Sequence, residues 1–434
     1  MPLTSKAGRF SRGRSRLGLL ALTAIAALVT CGLMASSAQA AKNPVVGAVY
    51  TESNDQSDNE VIAYDRKKKG QLKFRESVST GGVGSAQSVG CGPGCPILDS
   101  QYAVLWSPEG FVFAVNAGSD TITSFADNAL IKGKGGLKRK SQVSTGGDLP
   151  ESIAVSPTDN VVYVLNVNTA NSDGTTGNIY GFTYDEKGKL KPISGSSQTL
   201  PSASPPEGTP GGAATARGLA FDPKGRTLVV TELAAGMGAG SIVTYKVSGN
   251  GSSSPGVTNP SARPFPFGAA FAPDGTLIVP TIENPMGAAI GSVSTYDLNS
   301  GNGSVSLIGT ESSNDALPCW VATTPDGEHS FVVNTGAGAP AGPTPSVARF
   351  DLSGDGALSF RGLTSSPDDF AETDVTISID GKYLYVLAPS VGNPTAPASH
   401  IDQYKVKGNG NLKSIGSTKA KDDLGIGVTG LAAI

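Results

Sequence analysis

Few side chains in this chain could carry chemistry on their own. There are two histidines, His329 and His400, far apart in sequence. His329 follows the Pro325-Asp326-Gly327 turn, where a surface position is expected, and His400 opens a strand. Of the four cysteines, Cys91 and Cys95 bracket Gly92-Pro93-Gly94. That pair reads as a local disulfide in an oxidising compartment. The other reading is half of a metal site, for which neither histidine lies nearby. Cys319 stands alone and reads as a small buried hydrophobe. There is no Gly-x-Ser-x-Gly elbow, no phosphate-binding Walker loop and no zinc spacing. The Gly-rich stretches 236–240 and 336–342 are followed by no helix that could turn its N-terminus to a phosphate. No metal or cofactor is expected.

The elements that must position any site are short strands. In residues 151–190, Ile153-Ala154-Val155 is closed by Ser156-Pro157-Thr158-Asp159-Asn160, and a second apolar run follows from Val161 to Leu165. After a polar loop come Ile179-Tyr180-Gly181-Phe182-Thr183-Tyr184, the turn Asp185-Glu186-Lys187-Gly188 and another short run. Pro fixes φ and Gly supplies positive φ, as tight reversals require. The unit recurs at a spacing of roughly 50 residues, marked again near Ala103, Gly218, Gly268, Trp320 and Val375. Gly188, Gly356 and Gly410 each precede an outer run by a hairpin turn. With 57 Gly, 29 Pro and no long stretch of helical period, the class is all-β.

The two ends complete each other. Val45 to Tyr50, Val61 to Asp65 and Gly70-Gln71-Leu72 supply the later strands of a unit that lacks its first, and the tail GVTGLAAI reads as a first strand with no continuation. Joining them closes a ring and removes the sheet edge that an open array would expose. The expectation is a seven-bladed β-propeller occupying 41–434 as one domain, closed by the C-terminal strand on the N-terminal blade. An open β-solenoid fits less well, because its coils are far shorter than these repeats. Val162, Val164, Leu228 and Val230 are expected to fill the gaps between blades, and Trp106 and Trp320 to pack in the core. Asp65, Asp185, Asp297 and Asp351 read as strand-end turn formers. The Pro/Gly/Ser/Ala-rich stretches 201–216, 251–266 and 336–345 read as long loops over one face.

Residues 1–40 read as a targeting segment. Lys6, Arg9, Arg12, Arg14 and Arg16 form a basic region, 17–33 is apolar, and Ala38-Gln39-Ala40 is a small-residue cleavage site. The apolar run is short for a membrane span. Cleavage near Ala40 would remove Cys31 and export the chain to the periplasm or the medium. The whole sequence has 33 basic and 36 acidic residues; without the five basic residues of 1–40 the count is 28 against 36, a formal charge of −8. Nucleic acid, which needs a basic face, is disfavoured as a partner. A monomer with no membrane span in the mature chain is expected.

Two patterns carry a family resemblance. One is Pro157-Thr158-Asp159 leading to Tyr163-Val164-Leu165-Asn166; the other is Ile179, Phe182 and Tyr184 followed by Gly188-Lys189-Leu190. Repeated along 41–434, they resemble the lactonase family of seven-bladed β-propellers, which includes propeller-type 6-phosphogluconolactonases and 3-carboxymuconate-cyclising enzymes. Where the family has His-x-His, this chain has Ser100 and Tyr102. Gly118 and Asp120 keep a second motif. Arg217 is kept, with Gly218 in place of the following histidine, and Glu232 stands one residue before the family's carboxylate. Every site histidine is absent.

The resemblance implies hydrolysis of a small anionic sugar lactone or similar cyclic ester at the central channel. Such a reaction needs a base for water and a donor for the developing oxyanion. Arg217 would hold the anion through its fork. Glu232, its pKa raised by burial, would handle the proton. Gln101, Asn116, Asn166 and Asn334 would line the site. The plainer reading makes Arg217 and Glu232 an ordinary ion pair, and the protein a non-catalytic exported propeller that binds a protein, glycan or surface component.

Overall fold

The computed structural model describes residues 45–85, 98, 100–167, 177–201, 216–233, 240–283, 290–336, 344–366, 371–390, 398–419 and 427–434. They form seven antiparallel sheets of four or five strands, each running outward in chain order from an inner strand. The inner strands are Thr429–Ala433 in blade one, then Val104–Trp106, Pro150–Val155, Ala216–Phe221, Phe265–Pro266 with Ala270–Phe271, Pro318–Thr323 and Thr373–Ile377 in blades two to seven. The only helix among the described residues, Asn128–Lys132, follows Asp127, whose carboxylate accepts from the Ala129 and Leu130 amides as an N-cap does. No described helix is long and apolar enough to cross a membrane.

Blade one is assembled from both chain ends. Val49 pairs with Ala433, Tyr50 with Ala432 and Glu52 with Thr429. The Thr51 hydroxyl donates to the Thr429 carbonyl at 3.0 Å, and Arg66 Nε donates to the terminal oxygen of Ile434 at 2.6 Å. Position 47 must be glycine for this approach, since a Cβ there would stand 2.1 Å from that oxygen. The ring is closed as the sequence implies.

The core lies between blades. Val162, Val164, Leu228 and Val230 are all fully buried, because alternate residues of each second strand face a neighbouring sheet. Each such side chain withdrawn from water contributes about 1.5–3 kcal/mol. Trp320 is buried edge-on to Phe267, centroids 5.7 Å apart, and Cys319 is a buried thiol.

Two expectations need correction. His329 is not a surface residue; it is buried at the start of the strand His329–Asn334, with Nδ1 2.9 Å from Asp351 Oδ1. The stretch 251–266 is not one long loop. It contains the outer strand Val257–Pro260 of blade four, paired with Ser241–Lys246, and the start of blade five. Its residues are polar or Pro-rich because an outer strand has solvent on one side. Cys91 and Cys95, the segment 1–44, and the stretches 202–215 and 337–343 fall outside the described residues.

Candidate functional site

Besides blade one, whose inner strand shifts register between Thr429 and Ala432, the inner strands of four blades carry a bulge near their start. A bulge leaves one residue unpaired and re-aims its side chain. The residues at these irregularities are Glu151, Arg217, Cys319 and Asp374. Three of the four are charged, and all are buried.

Arg217 lies between the pairs Ala216–Glu232 and Gly218–Thr231, so Arg217 and Glu232 arise from adjoining positions on paired strands. Arg217 is 2 % exposed and Glu232 fully buried. The guanidinium lies over the Phe267 ring of the next blade, 5.6 Å from its centroid, a cation–π contact. Its Nη1 donates to the Ala216 carbonyl at 3.2 Å. Burial, and next the Glu232 carboxylate, raise the pKa of the Tyr245 phenol. Both sequence-derived residues are therefore buried, on paired strands of blade four.

Gln101 and its neighbours cross the axis of the ring. The Gln101 side chain donates from Nε2 to the Val321 carbonyl of blade six at 2.7 Å, although Gln101 belongs to blade two. A Cβ added at Gly268 of blade five would stand 2.5 Å from Gln101 Oε1, so that glycine makes room for the amide. From the other side, Asp374 of blade seven accepts from the Leu431 amide of blade one at 2.8 Å and the Tyr102 amide of blade two at 3.3 Å. It also accepts from the amide of Val375 at 2.7 Å. Tyr102 and Asp374 both take positive φ, 68° and 53°, a costly backbone state for side-chain-bearing residues that these cross-channel bonds hold. Burial pushes the Asp374 carboxyl up to about 7 against the three amides, which lower it. Ser100, Gln101 and Tyr102 thus form a septum where the lactonase resemblance places His-x-His.

A cavity of about 390 Å³ lies on one side of the septum, with Tyr102 in its lining. Its wall is a repeat of small residues at one register level, Ala154, Ala220, Ala270, Ala322 and Thr376. Neither Arg217 nor Glu232 lines it; by register they precede the septum, toward the starts of the inner strands.

The three asparagines sit at corresponding second-strand ends, all buried. Asn116 donates to the Thr121 and Thr123 hydroxyls, each at 3.0 Å, and accepts from Asn59 Nδ2 at 3.0 Å and the Thr80 hydroxyl at 2.5 Å. All of its amide capacity serves the junction of blades one and two. Asn166 donates to the Thr145 carbonyl and Asn178, and Asn334 to the Ser346 hydroxyl. Their Oδ1 atoms are buried without a hydrogen bond among the described residues.

Four carboxylates at this end escaped the sequence reading: Glu52, Glu151, Glu372 and Asp374, all buried. Burial raises the Glu52 pKa well above the usual carboxylate range. Aligning the units on their Pro-containing turns would have found one of them, since Glu151 precedes Ser156 by the interval that separates Arg217 from Asp222. Among the described residues no three His, Cys, Asp or Glu side chains group as a metal site.

The geometry defines a closed seven-bladed propeller with an acid-rich buried end around one arginine. Its resemblance is to the lactonase propellers: residues 58–199 match the family described as "Lactonase, 7-bladed beta-propeller". No curated protein matches the chain. Among solved structures, a Lactobacillus plantarum protein aligns at TM-score 0.61 and 15 % identity, covering 90 % of this chain and 100 % of its own. The periplasmic gluconolactonase of Pseudomonas aeruginosa aligns at 0.59 and 16 %, covering 89 % and 99 %. A candidate 6-phosphogluconolactonase of Bacteroides fragilis aligns at 0.58 and 17 %, covering 89 % and 98 %. At such identities these structures establish the fold.

Proposed function

We propose that the protein is an exported hydrolase of small anionic lactones, acting at the end of the ring where the inner strands begin. The observation that carries this reading is Arg217, a buried guanidinium set on a bulge next to Ala216, the residue that pairs with the buried Glu232. A fork held in a low-dielectric surround binds an anionic group strongly, and a buried carboxylate on the paired strand is suited to taking a proton from water. Gln101, Asn116, Asn166 and Asn334 fix the walls, Asn116 through the blade junction it ties. The match to the lactonase family and the gluconolactonase among the structural neighbours favour the same chemistry. Export is supported by the sequence of 1–40.

The test is a panel of sugar lactones with and without an anionic group, comparing wild type, Arg217→Ala and Glu232→Gln. Hydrolysis above buffer is expected for anionic members. Glu232→Gln should lower kcat by about 100-fold, as loss of a general base does. Arg217→Ala should lose about tenfold or more in kcat/KM for anionic lactones only, the scale of one charge-assisted contact. Wild-type rates equal to buffer across the panel would remove the proposal.

A second reading, a non-catalytic exported binder, is favoured by the burial of both Arg217 and Glu232 and by the cavity that does not reach them. The same panel separates the two.

A further inference from the structure

The inner-strand edges that face the cavity share one register. In blades three to seven the inner strand is followed by one more bond to the second strand. The amide of Ser156 donates to the Val161 carbonyl, Asp222 to Thr227, Ala272 to Thr276, Thr324 to His329 and Ser378 to Tyr383, all at 2.8–2.9 Å. Antiparallel bonding alternates residue by residue. The residues just before these, Val155, Phe221, Phe271, Thr323 and Ile377, therefore turn both amide and carbonyl away from the second strand. The inner strands pair with no strand on that side, so these groups face the channel axis. Two residues earlier the same parity is visible directly. The Ile153 amide bonds the Tyr102 carbonyl at 2.9 Å, and the Val321 carbonyl accepts from Gln101 at 2.7 Å. Those earlier groups serve the septum, whereas the later five residues line the cavity.

Around this belt of backbone the walls are apolar. Leu105, Val155, Phe221, Phe271 and Ile377 are half-buried and lie in the lining, and Tyr102 closes the septum side. The lining holds no Lys, Arg or His. Its carboxylate, Asp222, is 4 % exposed, and its Oδ1 accepts the Arg226 and Thr227 amides at 2.6 and 2.7 Å. The outer end is lined by the turn prolines Pro157, Pro223, Pro273 and Pro325. Successive turns abut: a Cβ would stand 3.4 Å from Pro157 at Gly225, 3.2 Å from Pro273 at Gly327 and 3.1 Å from Pro325 at Gly381. A mouth made of packed turns is pre-organised, which lowers the cost of binding.

Backbone groups that face a cavity need hydrogen-bond partners, and here each inward amide comes with an inward carbonyl. An anion suits the amides but is repelled by the carbonyls, and no cation of the lining would hold it. A hydrocarbon leaves both kinds unpaired, at about 1–3 kcal/mol for each buried group. Hydroxyls donate and accept at once. A pyranose carries hydroxyls round its edge and C–H groups on its faces, which matches a polar belt set between apolar walls. We propose that the cavity binds a neutral pyranose sugar, its hydroxyl edge on the five amide–carbonyl pairs and its faces toward Tyr102, Phe221 and Phe271. The volume of about 390 Å³ lies in the range of small-molecule sites. This site goes beyond lactone hydrolysis: the septum separates it from Arg217 and Glu232, and its ligand needs no ester.

The experiment is calorimetric titration of the full chain with methyl β-D-glucopyranoside, which no lactonase can open, and with cellotetraose, D-gluconate and cyclohexanol. Wild type should bind the glucoside saturably with Kd of about 1 mM or tighter. Tighter binding of cellotetraose would mark the end of a glycan as the source, and equal or weaker binding a free sugar. Gluconate and cyclohexanol, the anionic and the mainly apolar probe, should each bind about tenfold more weakly or not at all. Thr376→Phe, which fills the half-buried wall position of blade seven, should weaken glucoside binding by about tenfold or more. Phe271→Leu keeps the bulk without the ring and should weaken it by about threefold, the scale of one aromatic contact. Glu232→Gln, at the other end of the ring, should stay within about twofold, as for independent sites. Urea midpoints check that each variant folds, and should Thr376→Phe fail, Phe271→Leu decides. Four results overturn the proposal: no saturable glucoside binding by wild type below about 10 mM, gluconate or cyclohexanol bound as tightly, wild-type affinity in both cavity variants, or an equal loss in Glu232→Gln. Lactone hydrolysis plays no part in the readout, so an inactive protein that binds the glucoside fails the functional reading alone.

Discussion

Asp374 shows how a single side chain can be both brace and titrating group. It receives amides from three blades, yet burial lifts its carboxyl to about 7, above the ordinary unfolded value of ~3.9. The native state therefore holds its proton over a range in which the unfolded chain has lost it. Stability from this group is fully present below the unfolded value and is lost as pH rises through about 7. Glu52, raised by burial as well, acts in the same direction. The urea midpoint should fall between pH 5 and pH 8, and Asp374→Asn should flatten that fall while lowering the midpoint at pH 5. A variant with the wild-type slope would show that this carboxyl stays ionised. Asp374→Ala, which strips the partner from three buried amides, should cost about 2–4 kcal/mol.

At the scale of elements, the repeat was legible and its exceptions were not. Pro and Gly turns, and apolar runs such as Val161 to Leu165, declare the strands because the chemistry that makes them is local. The closing strand could be read because Gly427 to Ile434 lacked a continuation. Hidden from that reading were the side-chain contacts made across the ring. Gln101 meets Val321 and Asp374 meets Tyr102 across the ring, and no periodicity records such meetings. The outer strand Val257–Pro260 was missed because it is brief and polar, and His329 because its ring lies against Gly410 of the next blade and bonds Asp351 on the adjoining strand. The lactonase resemblance located Arg217 and Glu232 but not how deeply they lie. The closing element can be tested: Leu431 is fully buried, so Leu431→Ala should cost about 2–5 kcal/mol in urea unfolding. A cost below about 1 kcal/mol, the level of an ordinary surface change, would mean that the last strand is dispensable.

For the molecule as a whole, export and redox state go together. If 1–40 is removed, three cysteines remain of the four, Cys31 having left with the leader. Closure of Cys91 with Cys95 would leave only the buried Cys319 as a thiol. Intact mass of the secreted protein should place the N-terminus near Ala41. Titration in denaturant should find one thiol before reduction and three after. A retained leader, or three thiols before reduction, would exclude the exported, oxidised state.

The joining of the two chain ends also bears on how the protein is made. Thr429–Ala433 supply the innermost strand of the blade that begins with Val45–Glu52, and synthesis delivers them after the strands of the other six blades. Until they emerge, the first blade waits with three strands and an open edge, as a partly folded intermediate does. Whatever shields that early edge has to do so for the whole time the other six blades are being synthesised.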